Sequence, residues 1–172
     1  MNRSKLADLS EIVSSIAIVA TLIYLTIEIR QNTNALQSQT HEAVLSSAQA
    51  ELNTLIANPS IAASLASAGP LATESEHVQL DAWLASALRS REFAWLQFRD
   101  GAIDEAQWET EVAVLLGIFD SSMSLLWWGR LGRDAVGPDF AAFIDQILEL
   151  NPPTDELWPT ALSWSVPEPG QI

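Results

Sequence analysis

Sixteen consecutive residues, Ile12 to Ile27, carry no charge, and they constrain this chain more than any other stretch. Arg3 and Lys5 precede the run and Glu28-Ile29-Arg30 closes it. As a helix rising about 1.5 Å per residue, residues 12–27 span roughly 24 Å, against about 30 Å of bilayer hydrocarbon. Flanking residues make up the difference, with Glu28 and Arg30 reaching outward and Tyr24 near an interface. The segment therefore reads as a single transmembrane anchor over residues 12–29, behind a short flank at 1–11. A cleaved signal peptide needs small residues just after the apolar run, and Tyr24-Leu-Thr-Ile-Glu-Ile-Arg-Gln-Asn32 offers no such site. A buried soluble helix is the other alternative, because serines and threonines interrupt the run.

The Lys/Arg bias sets the expected orientation. Two basic residues precede the span and only Arg30 follows closely, which favours an inside N-terminus and an extracytoplasmic C-terminal domain.

The 172 residues suit an anchor plus one domain, and about 140 remain behind it, enough for one core. Apolar residues make up 48% of the chain, rich in alanine and leucine, which favours an all-α domain. The formal charge is −14, from 22 acidic and 8 basic residues. Such a surface repels phosphates, so nucleic acid is not an expected partner, and anionic headgroups repel it likewise. With no cysteine, there are no disulfides, thiolate metal sites or cysteine nucleophiles.

Behind the anchor, no Pro or Gly occurs before Asn58. Leu36, Val44, Ala48, Leu52, Leu55 and Ile56 recur mostly three or four apart, which predicts that the anchor helix continues into the domain with an apolar stripe. Asn58-Pro59 marks a helix restart with Asn58 as N-cap, and that short helix ends at Gly69-Pro70. Thr73-Glu-Ser-Glu76 has capping-box spacing. Leu80, Trp83, Leu84, Ala87, Leu88, Trp95 and Phe98 then draw one face of a long helix up to Asp100-Gly101. Asp104-Glu-Ala-Gln107 repeats the capping logic, with Ile103 and Trp108 placed for a hydrophobic staple. Trp108, Val112, Leu115, Leu116 and Phe119 form the buried face that follows. The tight Asp100–Ile103 connection predicts an antiparallel hairpin.

Val112 to Trp128 is apolar enough to suggest a second span, but Asp120 lies in its middle, where a charge costs about 2.5–3.5 kcal/mol even on the lenient insertion scale. It reads as domain core. A glycine-punctuated link, Gly129 to Gly137, leads to a last helix opened by Pro138 and carrying Phe140, Phe143, Ile144, Ile147 and Leu148. The expected fold is thus all-α: a long N-terminal membrane-anchor helix running into a small helical bundle over 30–150, then an irregular Pro/Trp-rich tail over 151–172. That tail holds five of the eight prolines, and Trp158 and Trp164 are expected to pack back onto the helices.

Motifs for chemistry are scarce. His41 and His77 are isolated, and neither has a zinc-helix partner at i+4. Asp104, Glu105, Glu109 and Glu111 form an acidic cluster that a solvated helix start explains. There is no nucleophile elbow, and Gly129-Arg-Leu-Gly132 is no phosphate loop. No catalytic, cofactor-binding or metal-binding residue is assigned. Arg91 falls near the apolar stripe and is expected to be partly buried with a carboxylate partner. Trp127-Trp128 stands apart, because adjacent helix residues point about 100° apart and cannot both face one core. The pair is therefore the candidate interaction site, toward the tail, a partner or the membrane interface.

In order and content these pieces resemble a group of small, uncharacterised bacterial proteins with an N-terminal single span. The likeness lies in Ile23-Tyr-Leu-Thr-Ile-Glu-Ile-Arg-Gln-Asn-Thr33, close to that group's I-Y-L-x-x-Q-I-R-Q-N-T, in Phe98-Arg-Asp-Gly-Ala-Ile-Asp-Glu-Ala-Gln-Trp108, and in Trp127-Trp128 followed by Gly137-Pro-Asp-Phe140. Glu28 stands where the group often has Gln, and the tail after Asn151 lies outside the likeness. The resemblance implies an architecture and no activity. The expected function is a membrane-anchored module acting by protein–protein contact, with an unidentified partner or as a homo-oligomer through the long juxtamembrane helix. A small-ligand sensor, or an enzyme using the acidic helix surface, is the alternative.

Overall fold

The computed structural model describes residues 3–67 and 73–163, and among these there are seven α-helices and no strand. They are α1 (Arg3–Ala57), α2 (Pro59–Leu65), α3 (Glu74–Arg99), α4 (Glu105–Phe119), α5 (Ser122–Arg130), α6 (Pro138–Leu150) and α7 (Leu157–Ser163). A 3-10 turn at Gly132–Ala135 joins α5 to α6. The chain divides into two compact units between Thr40 and His41.

In the first unit, α1 is long and apolar enough to cross a membrane, and none of its most apolar 18-residue window is buried. Ile12, Ile16, Val19, Ile23 and Ile27 are all exposed. Three of the four interrupting Ser/Thr hydroxyls bond within the helix: Ser15, Thr21 and Thr26 donate to the carbonyls of Glu11, Ala17 and Leu22, each at 2.8 Å. A hydroxyl satisfied four residues back asks nothing of its surroundings, so these residues do not bar an apolar solvent.

In the second unit, the apolar stripe at the end of α1 differs from the expected one. Val44 is buried and Ala48 and Leu55 are half-buried, with Glu51 in the buried position between Ala48 and Leu55, whereas Leu52 and Ile56 are exposed. Asn58 precedes α2 as expected, but its side chain makes no cap; its amide donates back to the Thr54 carbonyl at 3.0 Å. The expected stop at Gly69-Pro70 lies outside the described residues. Thr73 opens α3 with a full capping box, accepting from the Glu76 amide at 3.2 Å while the Thr73 amide donates to Glu76 Oε2 at 2.9 Å.

At the other end of α3, Ala102 N donates to Gln97 O at 2.8 Å and Gly101 N to Phe98 O at 3.0 Å. This Schellman closure places Gly101 at φ +73°, a left-handed position that side chains resist. Asp104 then caps α4 through the Gln107 amide at 2.8 Å, and Ile103 and Trp108 are both buried. Phe98 stacks on Trp108 at 5.4 Å between ring centroids, and seven residues back Arg91 reaches forward to Glu111. Partners that retreat along α3 while advancing along α4 define an antiparallel hairpin.

The apolar run through Val112–Trp128 is broken at Asp120–Ser121, where α4 and α5 bend by 95°. Asp120 is the reason. It accepts from the backbone amides of Thr154, Asp155, Glu156 and Leu157, the last at 2.8 Å, and so caps α7 from across the chain. Asp155, itself left-handed at φ +61°, returns the favour to α5, accepting from the Ser122 amide and hydroxyl. Burial alone would raise the Asp120 carboxyl, but these donors together hold it below its ordinary value. The irregular stretch is accordingly shorter than expected, because Leu157–Ser163 is helical. Trp158 packs back as expected, edge-on to Trp83 at 6.3 Å and donating to the Gly117 carbonyl at 3.0 Å. Trp164 lies outside the described residues.

Candidate functional site

Three places in the second unit combine chemistry with burial. The first is an ion cluster around Arg91, which is 2% exposed. Its Nη2 donates to Glu51 Oε2 of α1 at 2.7 Å. Its Nη1 lies 2.8 Å from Glu111 Oε2 of α4, an ion contact without hydrogen-bond alignment, since that oxygen makes no hydrogen bond. All three residues are buried, and two carboxylates face one guanidinium. Burial pushes the Glu51 carboxyl above its ordinary value; Arg91 and a hydrogen bond with the Ser90 side chain oppose the rise, and Glu111 adds to it. Glu51 Oε1, Arg91 Nε and the nearby Trp83 Nε1 make no hydrogen bond in the structure. Each orphan of this kind costs about 1–3 kcal/mol unless something small satisfies it.

Glu51, Trp83 and Arg91 also border a cleft of about 190 Å³, whose open wall is apolar and is built from aliphatic residues of α1 and α4 and from Trp158. On the other side of Glu51 and Trp83 lies a more polar groove of about 330 Å³ edged by Ser47, Ser86, Ser90 and Gln79. The Arg91 expectation is met, with two partners rather than one. Glu111, read from sequence as part of a solvated acidic helix start, is instead buried against Arg91, and Glu51 was not singled out, although a signal existed for both. Glu51 continues the Val44–Ala48–Leu55 spacing, and Glu111 sits between Trp108 and Leu115 on the buried face of α4. A charge at a stripe position is a candidate core ion.

The second place is the tryptophan pair, where the geometric expectation is corrected. Trp127 and Trp128 are 8% and 3% exposed, so both lie in the core. Two features make this possible. Helix α5 is covered on two sides, with Trp128 donating to Asp145 of α6 at 2.8 Å and Trp127 donating to Asp81 of α3. The chain then folds Gly132 over both rings: a Cβ there would lie 2.5 Å from Trp127 and 2.6 Å from Trp128. Asp145 is bound by Arg133 at 2.7 Å, and this, ahead of the Trp128 hydrogen bond, lowers its pKa.

The third place is a groove of about 260 Å³ that meets the edge of Trp127. Val78, Leu126 and Leu131 are exposed there, with Met123 beneath and His77, Asp81 and Arg130 around them. His41, Glu105 and Glu109 are exposed elsewhere and belong to no such constellation. Among the described residues, no group of three His, Asp or Glu converges on a metal position. No protein-family model, no curated protein and no solved structure matches this chain.

Proposed function

We propose that this chain is a single-pass membrane protein, held by residues 12–29, whose helical domain works beside the bilayer as a protein–protein interaction module. The observation that carries the reading is the unburied apolar surface of α1. Withdrawing one Val, Leu or Ile side chain from water is worth about 1.5–3 kcal/mol, so a bilayer recovers a large free energy from residues 12–29. The likeness to the bacterial single-span group supports the same arrangement. The basic bias around the span supports an extracytoplasmic domain. Membranes washed with alkaline carbonate are expected to retain the full chain until detergent is added, and alkaline phosphatase fused after Ile172 is expected to be active. Release by carbonate sinks the anchor, and background phosphatase activity reverses the orientation.

The contact surface in this reading is the groove beside Trp127. Apolar side chains ringed by polar ones are the anatomy of an interface that excludes water at its centre. The −14 charge of each chain opposes self-association, which favours a partner of another kind presenting an apolar helix face. A photo-crosslinking residue at position 126, in native membranes, is expected to give one heteromeric adduct that Leu131→Glu removes. An adduct of twice the chain's mass, or none, overturns this surface.

A further inference from the structure

We infer that the Glu51–Arg91–Glu111 cluster is a proton-operated latch, which holds residues 41–57 of α1 against α3 and α4 in acid and loosens them as pH rises. Little else holds this segment. Within it only Val44 and Glu51 are buried, Ser47, Ala48 and Leu55 are half-buried, and Leu45, Leu52 and Ile56 face outward. Ser47 Oγ adds a hydrogen bond to Ser90 Oγ of α3 at 2.6 Å. The deepest apolar side chains, Leu84, Leu88, Leu115, Phe119, Phe140 and Ile144, belong to α3, α4 and α6. An element that contributes so little buried carbon opens before the rest of its domain.

The charge count supplies the switch. Docked and fully ionised, the cluster sets two buried carboxylates against one guanidinium and keeps an uncompensated negative charge. Undocking removes it, because Glu51 returns to water while Arg91 keeps Glu111. A proton on docked Glu51 reaches the same neutrality without undocking. The groups that face Glu51 are Arg91 from α3 and Glu111 from α4. Neither α2 nor α7 carries a titratable residue, and between Ala43 and Ala57 α1 carries Glu51 alone. Burial, the largest influence, holds the docked Glu51 carboxyl above its ordinary 4.5. The proton's contribution to docking is therefore complete below that ordinary value and is lost as pH climbs through the docked one. This inference goes beyond the interaction reading and does not rest on it, since it needs neither a partner nor the groove beside Trp127.

The chain has no cysteine, so Val44→Cys introduces a single thiol on the buried side of the joint. Its labelling rate with dipyridyl disulfide, divided at each pH by that of the exposed Leu45→Cys, measures undocking with the thiol's own ionisation removed. In the full chain, in lipid nanodiscs, this ratio is expected to rise about threefold or more from pH 5 to pH 8. Should Val44→Cys not fold, Ala48→Cys on the same side takes its place. Glu51→Gln, added to each single-thiol chain, is expected to flatten the profile at its acid level. Glu111→Gln leaves Arg91 one carboxylate and is expected to weaken the dependence, which decides the matter if Glu51→Gln does not fold. A flat profile in the parent overturns the latch. So does a rise that survives either variant undiminished, which would assign the titration to another group such as the exposed His41, close to Val44 on α1.

Discussion

Arg91→Leu is expected to lower the stability of the helical domain by about 3–5 kcal/mol, or roughly 10–20 °C in Tm, because it leaves Glu51 and Glu111 buried without a counter-charge. The loss comes from removing one partner. It does not measure the worth of the cluster, whose Coulomb gain is set against the desolvation of three charges. Replacing all three together, as Glu51→Leu, Arg91→Met and Glu111→Leu, is therefore expected to recover most of the loss. Thermal unfolding of the full chain in detergent, followed by tryptophan fluorescence, measures both variants. A single variant within 1 kcal/mol of the parent would show that the triad carries no structural charge balance.

The pH dependence supplies a second readout. Glu51 has its pKa raised above 4.5 in the folded chain. As pH rises from that ordinary value, the folded state holds a proton that the unfolded state has released, so stability falls through the window between the two values. Without Arg91 the main influence opposing the rise is gone and the window widens upward. The Arg91→Leu deficit is accordingly expected to be larger at pH 8 than at pH 5.

Capping explains why so much of this fold was legible. Thr73 and Asp104 announce α3 and α4 because a side-chain oxygen must meet amides that no helix carbonyl can reach, and both meet them as spaced. The bend at Asp120 was only half legible. A carboxylate in an apolar run signals that the run does not continue, but its partners at Thr154–Leu157 lie more than thirty residues away. No local rule pairs Asp120 with Asp155, nor marks Leu157 as a helix start capped from another element. The ion cluster has the same character: Arg91, Glu51 and Glu111 each sit on a stripe, yet only the packing of α1, α3 and α4 identifies them as one site. The orphan atoms around the ion cluster are invisible in sequence, because they are defined by bonds that packing fails to supply.

Trp128→Ala distinguishes the two roles the tryptophan pair has carried. As a contact residue its loss would spare the fold. As packed here, it removes a ring that is 3% exposed, stands edge-on to Phe119 at 5.6 Å, and lies under Gly132 and the Arg133 guanidinium. The cavity left behind cannot close, because α5 is pinned by Trp127 to Asp81 and by Ser122 to Asp155. A cost of about 3–5 kcal/mol is expected, with loss of near-ultraviolet circular dichroism at a Tm lowered by roughly 10–20 °C. Trp128→Phe keeps most of the ring and gives up the indole N–H; Asp145 retains Arg133, so the cost is expected near 1 kcal/mol. A Trp128→Ala domain as stable as its parent would return the residue to the surface-contact role. A graded loss from phenylalanine to alanine places its work in the core, which leaves the exposed Leu126 and Leu131, and only the edge of Trp127, to meet a partner.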